Sequence, residues 1–308
     1  MSSRGALSPS RLVRRVPFPY RAPTVPRGVE PPPERRRTGS DFPTEWARRY
    51  PARVARLALL EGVMRPMIAG LAPPERQGLD RLDGLDGPLI FAANHHSHVD
   101  TPLMLTSIPE PWRHRTFVGA AADYFFGNRV TGTFSALALN AVPIERTRIS
   151  RDSADRAADL IDDGWSLVIF PEGGRSPDGW GQEFRGGAAY LSLRCGAPIV
   201  PVHLAGTGQV LAKGDTTPAR ARTTVTFGTP IVPSAGDDTR RLAARLEQAV
   251  AELADEVTTD WWQARRRAAA GETPALTGPQ AAGWRRAWAL GERRPDRRRS
   301  RRSWPRLR

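Results

Sequence analysis

Cysteine is nearly missing from this chain of 308 residues: Cys195 stands alone, so no intrachain disulfide can form and a reducing compartment suits the protein. Lysine is equally scarce, with Lys213 the single one among 46 basic residues. Long apolar runs are lacking too. No stretch approaches the roughly 20 apolar residues that a spanning helix needs, so any membrane would be met from its surface. The first residues are rich in Arg and Pro (Arg4, Arg11, Arg14, Arg15, Pro17, Pro19) and hold no apolar stretch of the secretory kind. No internal repeat is visible.

Positive charge is abundant and uneven. The formal charge is +14, and Trp284 to Arg308 carries eleven arginines against Glu292 and Asp296. Such a tail needs an anionic partner: a phospholipid surface, nucleic acid or an acidic protein. Trp284, Trp288 and Trp304 are interleaved with the arginines, which suits base stacking or headgroup depth in a bilayer. The accompanying Ala, Gly and Pro point to base composition as one source of the Arg excess.

Residues 1–43 contain Pro31-Pro32-Pro33 and Arg35-Arg36-Arg37 and read as a disordered tail. Residues 44–72 read as an amphipathic helical segment, with Val54, Leu57, Leu59, Leu60, Val63 and Met67 among arginines and Pro66 bending or dividing it. That segment either packs on the core or lies in a membrane interface. Strand and helix patterns then alternate. Strands are expected at Pro88–Ala93, Thr116–Ala120, Ala141–Ile144, Ser166–Phe170, Ile199–Leu204 and Thr223–Phe227. Helices are expected at Asp100–Ser107, Tyr124–Leu139 with a break near Gly132, Arg151–Asp163 and Glu183–Arg194. A long one from Asp237 to Arg267 carries Leu242, Leu246, Val250, Leu253 and Val257 on one face. The rhythm predicts a single α/β domain over 44–267, a mixed, largely parallel sheet flanked by helices. Residues 268–308 return to Pro, Gly and Arg and read as a disordered basic tail.

Directly after the first apolar strand stands Asn94-His95-His96-Ser97-His98-Val99-Asp100. Positions five apart on a helix point about 140° away from each other, so His95 and Asp100 can pair only if the histidine lies on the loop before the helix. A carboxylate beside an imidazole fixes its tautomer and makes a general base for a hydroxyl. The same residues also fit a capping box, Ser97 with Asp100, in which the acid is architectural. Three histidines and an acid raise the thought of a metal site, although no second ligand cluster is evident.

The strand Ser166–Phe170 is followed by Pro171-Glu172-Gly173-Gly174-Arg175-Ser176. Two glycines admit an anion close to backbone N–H groups, Arg175 offers a bidentate fork and Ser176 a further donor. An ordinary Gly-Gly turn is the other reading. The Gly-Lys-Ser/Thr element of a nucleotide loop is missing. Between the two motifs, Asn140 to Arg148 includes Pro143, Ile144, Glu145 and Arg146; Arg146 could hold phosphate or form a surface ion pair with Glu145.

In this order the motifs resemble those of the lysophospholipid and glycerolipid acyltransferases, relatives of 1-acylglycerol-3-phosphate acyltransferase. The family's Asn-His-x-Ser-x-x-Asp is matched at 94–100, and its Phe-Pro-Glu-Gly-x-Arg-Ser by Phe170 to Ser176 with Gly174 where Thr is frequent. Its Gly-Phe-Ile-x-Arg element is met by Ile144 and Arg146, with Asn140 for the Gly and Pro143 for the Phe, and its apolar run around Pro by Ile199-Val200-Pro201-Val202. The resemblance covers about Ala52 to Phe227 and implies that His95, oriented by Asp100, activates an acceptor hydroxyl. The implied acceptor set is Asn94, Ser97, Arg146, Glu172, Gly173, Gly174, Arg175 and Ser176. It further implies acyl-CoA or acyl carrier protein as donor, a phosphate-bearing lipid acceptor, 1-acylglycerol 3-phosphate first with glycerol 3-phosphate or another polar lipid as the alternative, and no cofactor or metal. A peripheral place on an anionic membrane at its cytoplasmic face follows. A nucleic-acid-binding protein, or a lipid-binding module without catalysis, is the rival reading.

Overall fold

The computed structural model describes residues 39–145, 151–234 and 236–293, so the expected tails lie outside it up to residue 38 and from 294 on. Among the described residues seven strands form one sheet: β1 (Pro74–Gln77), β2 (Ile90–Ala93), β3 (Thr116–Ala121), β4 (Ala141–Ile144), β5 (Ser166–Ile169), β6 (Ile199–Ala205) and β7 (Thr223–Phe227). Their order is β1-β7-β6-β2-β5-β3-β4. Neighbours run parallel except β6 against β7. The sheet is therefore mixed and largely parallel, as the alternating pattern predicts.

Among the described residues the α-helices longer than four residues are α1 (Tyr50–Leu59), α2 (Arg65–Leu71), α3 (Asp100–Ser107), α4 (Arg129–Leu139), α5 (Arg151–Asp162), α6 (Gly187–Cys195), α7 (Thr239–Thr258), α8 (Trp261–Ala270) and α9 (Gly283–Arg293). They cover both faces, which is why β2 and β5 are buried at every position. Alternate side chains divide between two cores. Phe91, Ala93, Val168, Val200 and Val202 meet Leu60, Met64 and Ile68 from the N-terminal helical segment and Leu103 and Met104 of α3. Ile90, Ala92, Leu167, Ile169 and Ile199 meet Ala157 and Ile161 of α5, Leu191 of α6, and Leu242, Leu246 and Val250 of α7. Each fully buried Leu or Ile contributes about 2 kcal/mol, so these two clusters are what fix the central strands.

The N-terminal helical segment has two apolar faces. Leu60, Met64 and Ile68 are buried, whereas Tyr50, Val54, Leu57, Val63 and Met67 are exposed. A wide π-type turn, Leu60–Met64, stands directly before Pro66, whose ring prevents an ordinary i to i−4 bond there.

Several boundaries differ from the sequence expectation. The break expected at Gly132 lies at Gly127–Asn128, because Asn128 Oδ1 accepts the N–H of Val130 at 2.7 Å and starts α4 there. The helix expected from Glu183 begins only at Gly187. The helix expected to run to Arg267 is two: it ends at Thr258, and Asp260 caps α8 by accepting the N–H of Gln263 at 2.8 Å. The polar edge strand β1 was not foreseen. Within the segment read as an N-terminal tail, Ser40 is buried and Phe42 meets Phe126 with ring centroids 5.3 Å apart. The C-terminal tail reading is corrected as far as Arg293, since α9 is helical and tied to the body through Asp178 and Trp180.

Candidate active site

Strands β2 and β5 are parallel neighbours, with Phe91 opposite Val168, so the loops leaving their carboxyl ends emerge side by side. The first loop carries His95 and the second Glu172 to Ser176. His95 Nδ1–H donates to Asp100 Oδ2 at 2.8 Å, with His95 on the loop and Asp100 at the first residue of α3. The same carboxylate oxygen accepts the backbone N–H groups of His96 and Ser97, each at 2.7 Å. The capping-box reading is met only in part: Asp100 Oδ2 reaches back to the Ser97 N–H, but the helix begins at Asp100 with Val99 before it and no side-chain cap, and the same oxygen holds the imidazole. Asp100 is fully buried, and these three donors replace the water lost by Oδ2, whereas Oδ1 is buried with no hydrogen-bond partner among the described residues. Phe170 stacks on the His95 ring, centroids 4.2 Å apart, and so limits its rotation from the other side.

The second loop grips the His95 peptide at both ends. The His95 N–H donates to Glu172 Oε1 at 2.8 Å, and the Ser176 N–H donates to the His95 carbonyl at 2.9 Å. Glu172 Oε2 accepts the Gln182 N–H at 3.0 Å. Burial pushes the Glu172 carboxyl up to about 8, against the two backbone donors that favour its charged form.

Of the residues singled out in the sequence, His95, Gly173, Gly174 and Arg175 line a cavity of about 380 Å³. Asn94, Ser97, Glu172 and Ser176 are buried behind its wall. The Asn94 side chain accepts the Leu204 N–H at 2.7 Å and donates to the Leu204 carbonyl at 3.0 Å, fastening the end of β2 to β6. Ser97 Oγ donates to the Leu211 carbonyl at 2.6 Å, and Ser176 Oγ accepts the Gly179 N–H at 2.7 Å. Arg146, and with it the expected ion pair to Glu145, lies outside the described residues.

The cavity has an apolar wall, with Val118, Leu139, Ile144 and Phe170, and a cationic rim of Arg175, Arg185 and Lys213. Arg175 donates to His98 Nε2 and lies over the Tyr124 ring at 5.7 Å. Burial, then the Arg175 charge, lowers the His98 pKa and keeps that ring a neutral acceptor. Gly173 has φ +70°, and a Cβ there would stand 2.9 Å from the Arg185 guanidinium carbon, so only glycine lets that guanidinium sit against the turn. Arg185 and Lys213 were missed in the sequence. Their signals were a second Gly-Gly pair after a cation, Arg185-Gly186-Gly187, and the uniqueness of Lys213.

Among the described residues no group of three His, Cys, Asp or Glu side chains is placed to hold a metal ion. Burial pushes the Cys195 thiol up to about 11, so it is not a thiolate at neutral pH. What the geometry offers is an imidazole with one nitrogen fixed by a carboxylate and its ring on a cavity that is apolar on one side and cationic on another. Asn140, the left-handed end of α4 at φ 51°, sends its amide to the Thr116 carbonyl at 3.0 Å and delivers β4 beside the cavity.

The family model described as Acyltransferase matches residues 74–205. A chloroplastic 1-acyl-sn-glycerol-3-phosphate acyltransferase of Brassica napus is 32% identical over 140 residues, 45% of this chain and 39% of that protein. A chloroplastic 1-acyl-sn-glycerol-3-phosphate acyltransferase of Arabidopsis thaliana is 29% identical over 140 residues, 45% of this chain and 37% of that protein. The chain thus spans about two fifths of the length of these curated relatives. The crystal structure of the 1-acyl-sn-glycerophosphate acyltransferase from Thermotoga maritima superposes with a TM-score of 0.52 at 22% identity, covering 72% of this chain and 87% of that one, and so shares the fold. The match to the acyltransferase family model falls on residues 74–205, which hold both loops and the strands that carry them.

Proposed function

We propose that the protein is an O-acyltransferase that moves a fatty acyl group from acyl-CoA or acyl carrier protein to the hydroxyl of a lysophospholipid, 1-acylglycerol 3-phosphate foremost. The observation that carries this reading is the His95–Asp100 pair opening on a cavity with an apolar wall and a rim of Arg175, Arg185 and Lys213. A long acyl chain needs the first and a phosphate the second. With Nδ1 engaged by Asp100, the Nε2 of His95 takes the proton of the acceptor hydroxyl. The oxygen attacks the thioester carbonyl, the tetrahedral intermediate collapses, and the thiolate leaves with the proton returned by the imidazolium. Asp100 stabilises that imidazolium. Asn94, Ser97, Glu172 and Ser176 act as positioning residues for the loop, and the arginines, Arg146 among them, bind the phosphate.

The acceptor reading also draws support from the outer surface. Helix α1 lies against α4, Arg56 Nε donating to the Leu137 carbonyl at 2.9 Å, and the two helices expose Tyr50, Val54 and Leu57, and Val130 and Phe134. No described helix is long and apolar enough to cross a membrane. An exposed apolar surface of this kind suits a peripheral place on the cytoplasmic face of the membrane. The test is a mass-spectrometric screen of purified protein with oleoyl-CoA or acylated carrier protein against lysophosphatidic acid, glycerol 3-phosphate and other lysolipids. Phosphatidic acid as main product supports the reading. Acylation of glycerol 3-phosphate alone would move the acceptor, and no transfer to any acceptor would leave a lipid- or nucleic-acid-binding module.

A further inference from the structure

Helix α9 is fastened to the body on one side only. Arg286 Nε donates to Asp178 Oδ2 at 2.8 Å, and Arg286 Nη1 to the carbonyls of Thr277 and Pro279, each at 3.0 Å. Trp180, itself buried, donates its indole N–H to the Arg286 carbonyl at 3.0 Å, and Leu290 lies against Gly179, where a Cβ would come within 2.5 Å of Leu290 Cδ2. Positions 286 and 290 fall on one side of the helix. Trp284 and Trp288, about 40° apart around the axis, fall on the other, and they are 68% and 65% exposed.

Two indoles one turn apart on a helix beside arginines are an interfacial pattern: the rings sit at headgroup depth and the cations meet lipid phosphate. The charge agrees. Beyond α9, residues 294–308 hold eight arginines against Asp296 alone. Base stacking needs a free ring face in a groove, whereas here the Arg285 guanidinium already lies 5.0 Å over Trp284 on an outward-facing helix.

We propose that α9 is a docking surface for an anionic lipid bilayer, and that docking reaches the active site through residues 176–182. The helix grips Asp178, Gly179 and Trp180, while Ser176 is bonded to His95 and Gln182 to Glu172. Holding α9 on a surface holds the loop that clamps His95. The second half of this inference rests on the proposed acyl transfer; the first does not.

The test uses the full chain and the double variant Trp284→Ala/Trp288→Ala. Both tryptophans are exposed, so their removal leaves the core intact. Co-sedimentation is measured with phosphatidylcholine vesicles with and without phosphatidylglycerol, beside a gel shift with single-stranded oligonucleotide. The wild type binds the anionic vesicles, and the double variant binds them at least about tenfold more weakly. Equal binding by the two proteins, or tight binding to oligonucleotide with none to vesicles, overturns the docking surface. Acyl transfer to a short-chain, water-soluble lysophosphatidic acid is then followed with and without added vesicles. A severalfold rise on adding vesicles, seen in the wild type and lost in the double variant, supports the coupling; no rise in the wild type overturns it. A wild type inactive on every acceptor sinks the acyl-transfer reading while the vesicle result still stands.

Discussion

The backbone N–H of His95 donates to Glu172 Oε1 at 2.8 Å, across from the carbonyl of the same residue, which accepts from Ser176 N–H at 2.9 Å. The motif that binds Asp100 to the imidazole thus has its backbone held by the other motif. This explains why an acidic residue belongs in a loop otherwise suited to anions: Glu172 faces inward and serves the first loop.

The buried Glu172 predicts a pH-dependent stability. Below its usual value of 4.5 the carboxyl is protonated in both folded and unfolded chains and gives no slope. Between there and about 8 the folded chain keeps the proton that the unfolded chain has lost, so stability falls as pH rises through that window. The slope is about 1.4 kcal/mol per pH unit for one such group. Denaturant unfolding of wild type and Glu172→Gln from about pH 5 to pH 8 isolates it, because the difference between the proteins removes every other titration. A pH-independent difference contradicts a protonated, buried Glu172.

Arg175 and Arg185 stand on the rim of the cavity, and each charge-assisted hydrogen bond to a phosphate is worth about 1.5–3 kcal/mol. Arg175→Ala and Arg185→Ala should each raise the acceptor KM about 10- to 100-fold and leave the donor KM nearly unchanged. Arg146→Ala should act in the same direction. Steady-state kinetics with each substrate varied in turn decides; an effect confined to the donor reverses the pocket.

Gly173→Ala tests the turn. The left-handed backbone costs a residue with a Cβ about 1–2 kcal/mol, and the added methyl meets the Arg185 guanidinium. Urea unfolding should show that loss, with a raised acceptor KM from the displaced Arg185. Unchanged stability and unchanged KM together contradict this packing.

How far the sequence shows all this depends on the kind of signal. Strands β2, β5 and β6 are buried on both faces and announce themselves as largely apolar runs, broken in β6 by His203, and α3 takes the bounds expected of it, Asp100–Ser107. Strand β1 reads Pro-Glu-Arg-Gln; it carries no apolar alternation and exists because its backbone pairs with Thr223–Thr226 of β7 at the sheet edge. The His95–Asp100 pair was visible because both partners lie in one short motif. The inward direction of Glu172 was not, since its partners are backbone groups of residues 95 and 182, and Lys213 reaches the rim from a loop more than a hundred residues after His95. Helix α9 was hidden by composition, rich in Arg, Trp and Gly, and contacts distant in sequence, with Asp178, Gly179 and Trp180 among them, give it its place.

The central claim is that the His95 imidazole takes the proton of the acceptor hydroxyl. Single-turnover transfer from oleoyl-CoA to lysophosphatidic acid by wild type and His95→Ala, with circular dichroism to confirm the fold of both, tests it most directly. The chemical step should fall about 10²- to 10⁴-fold in the variant, with acceptor binding retained. A folded His95→Ala protein that transfers the acyl group at close to the wild-type rate contradicts it.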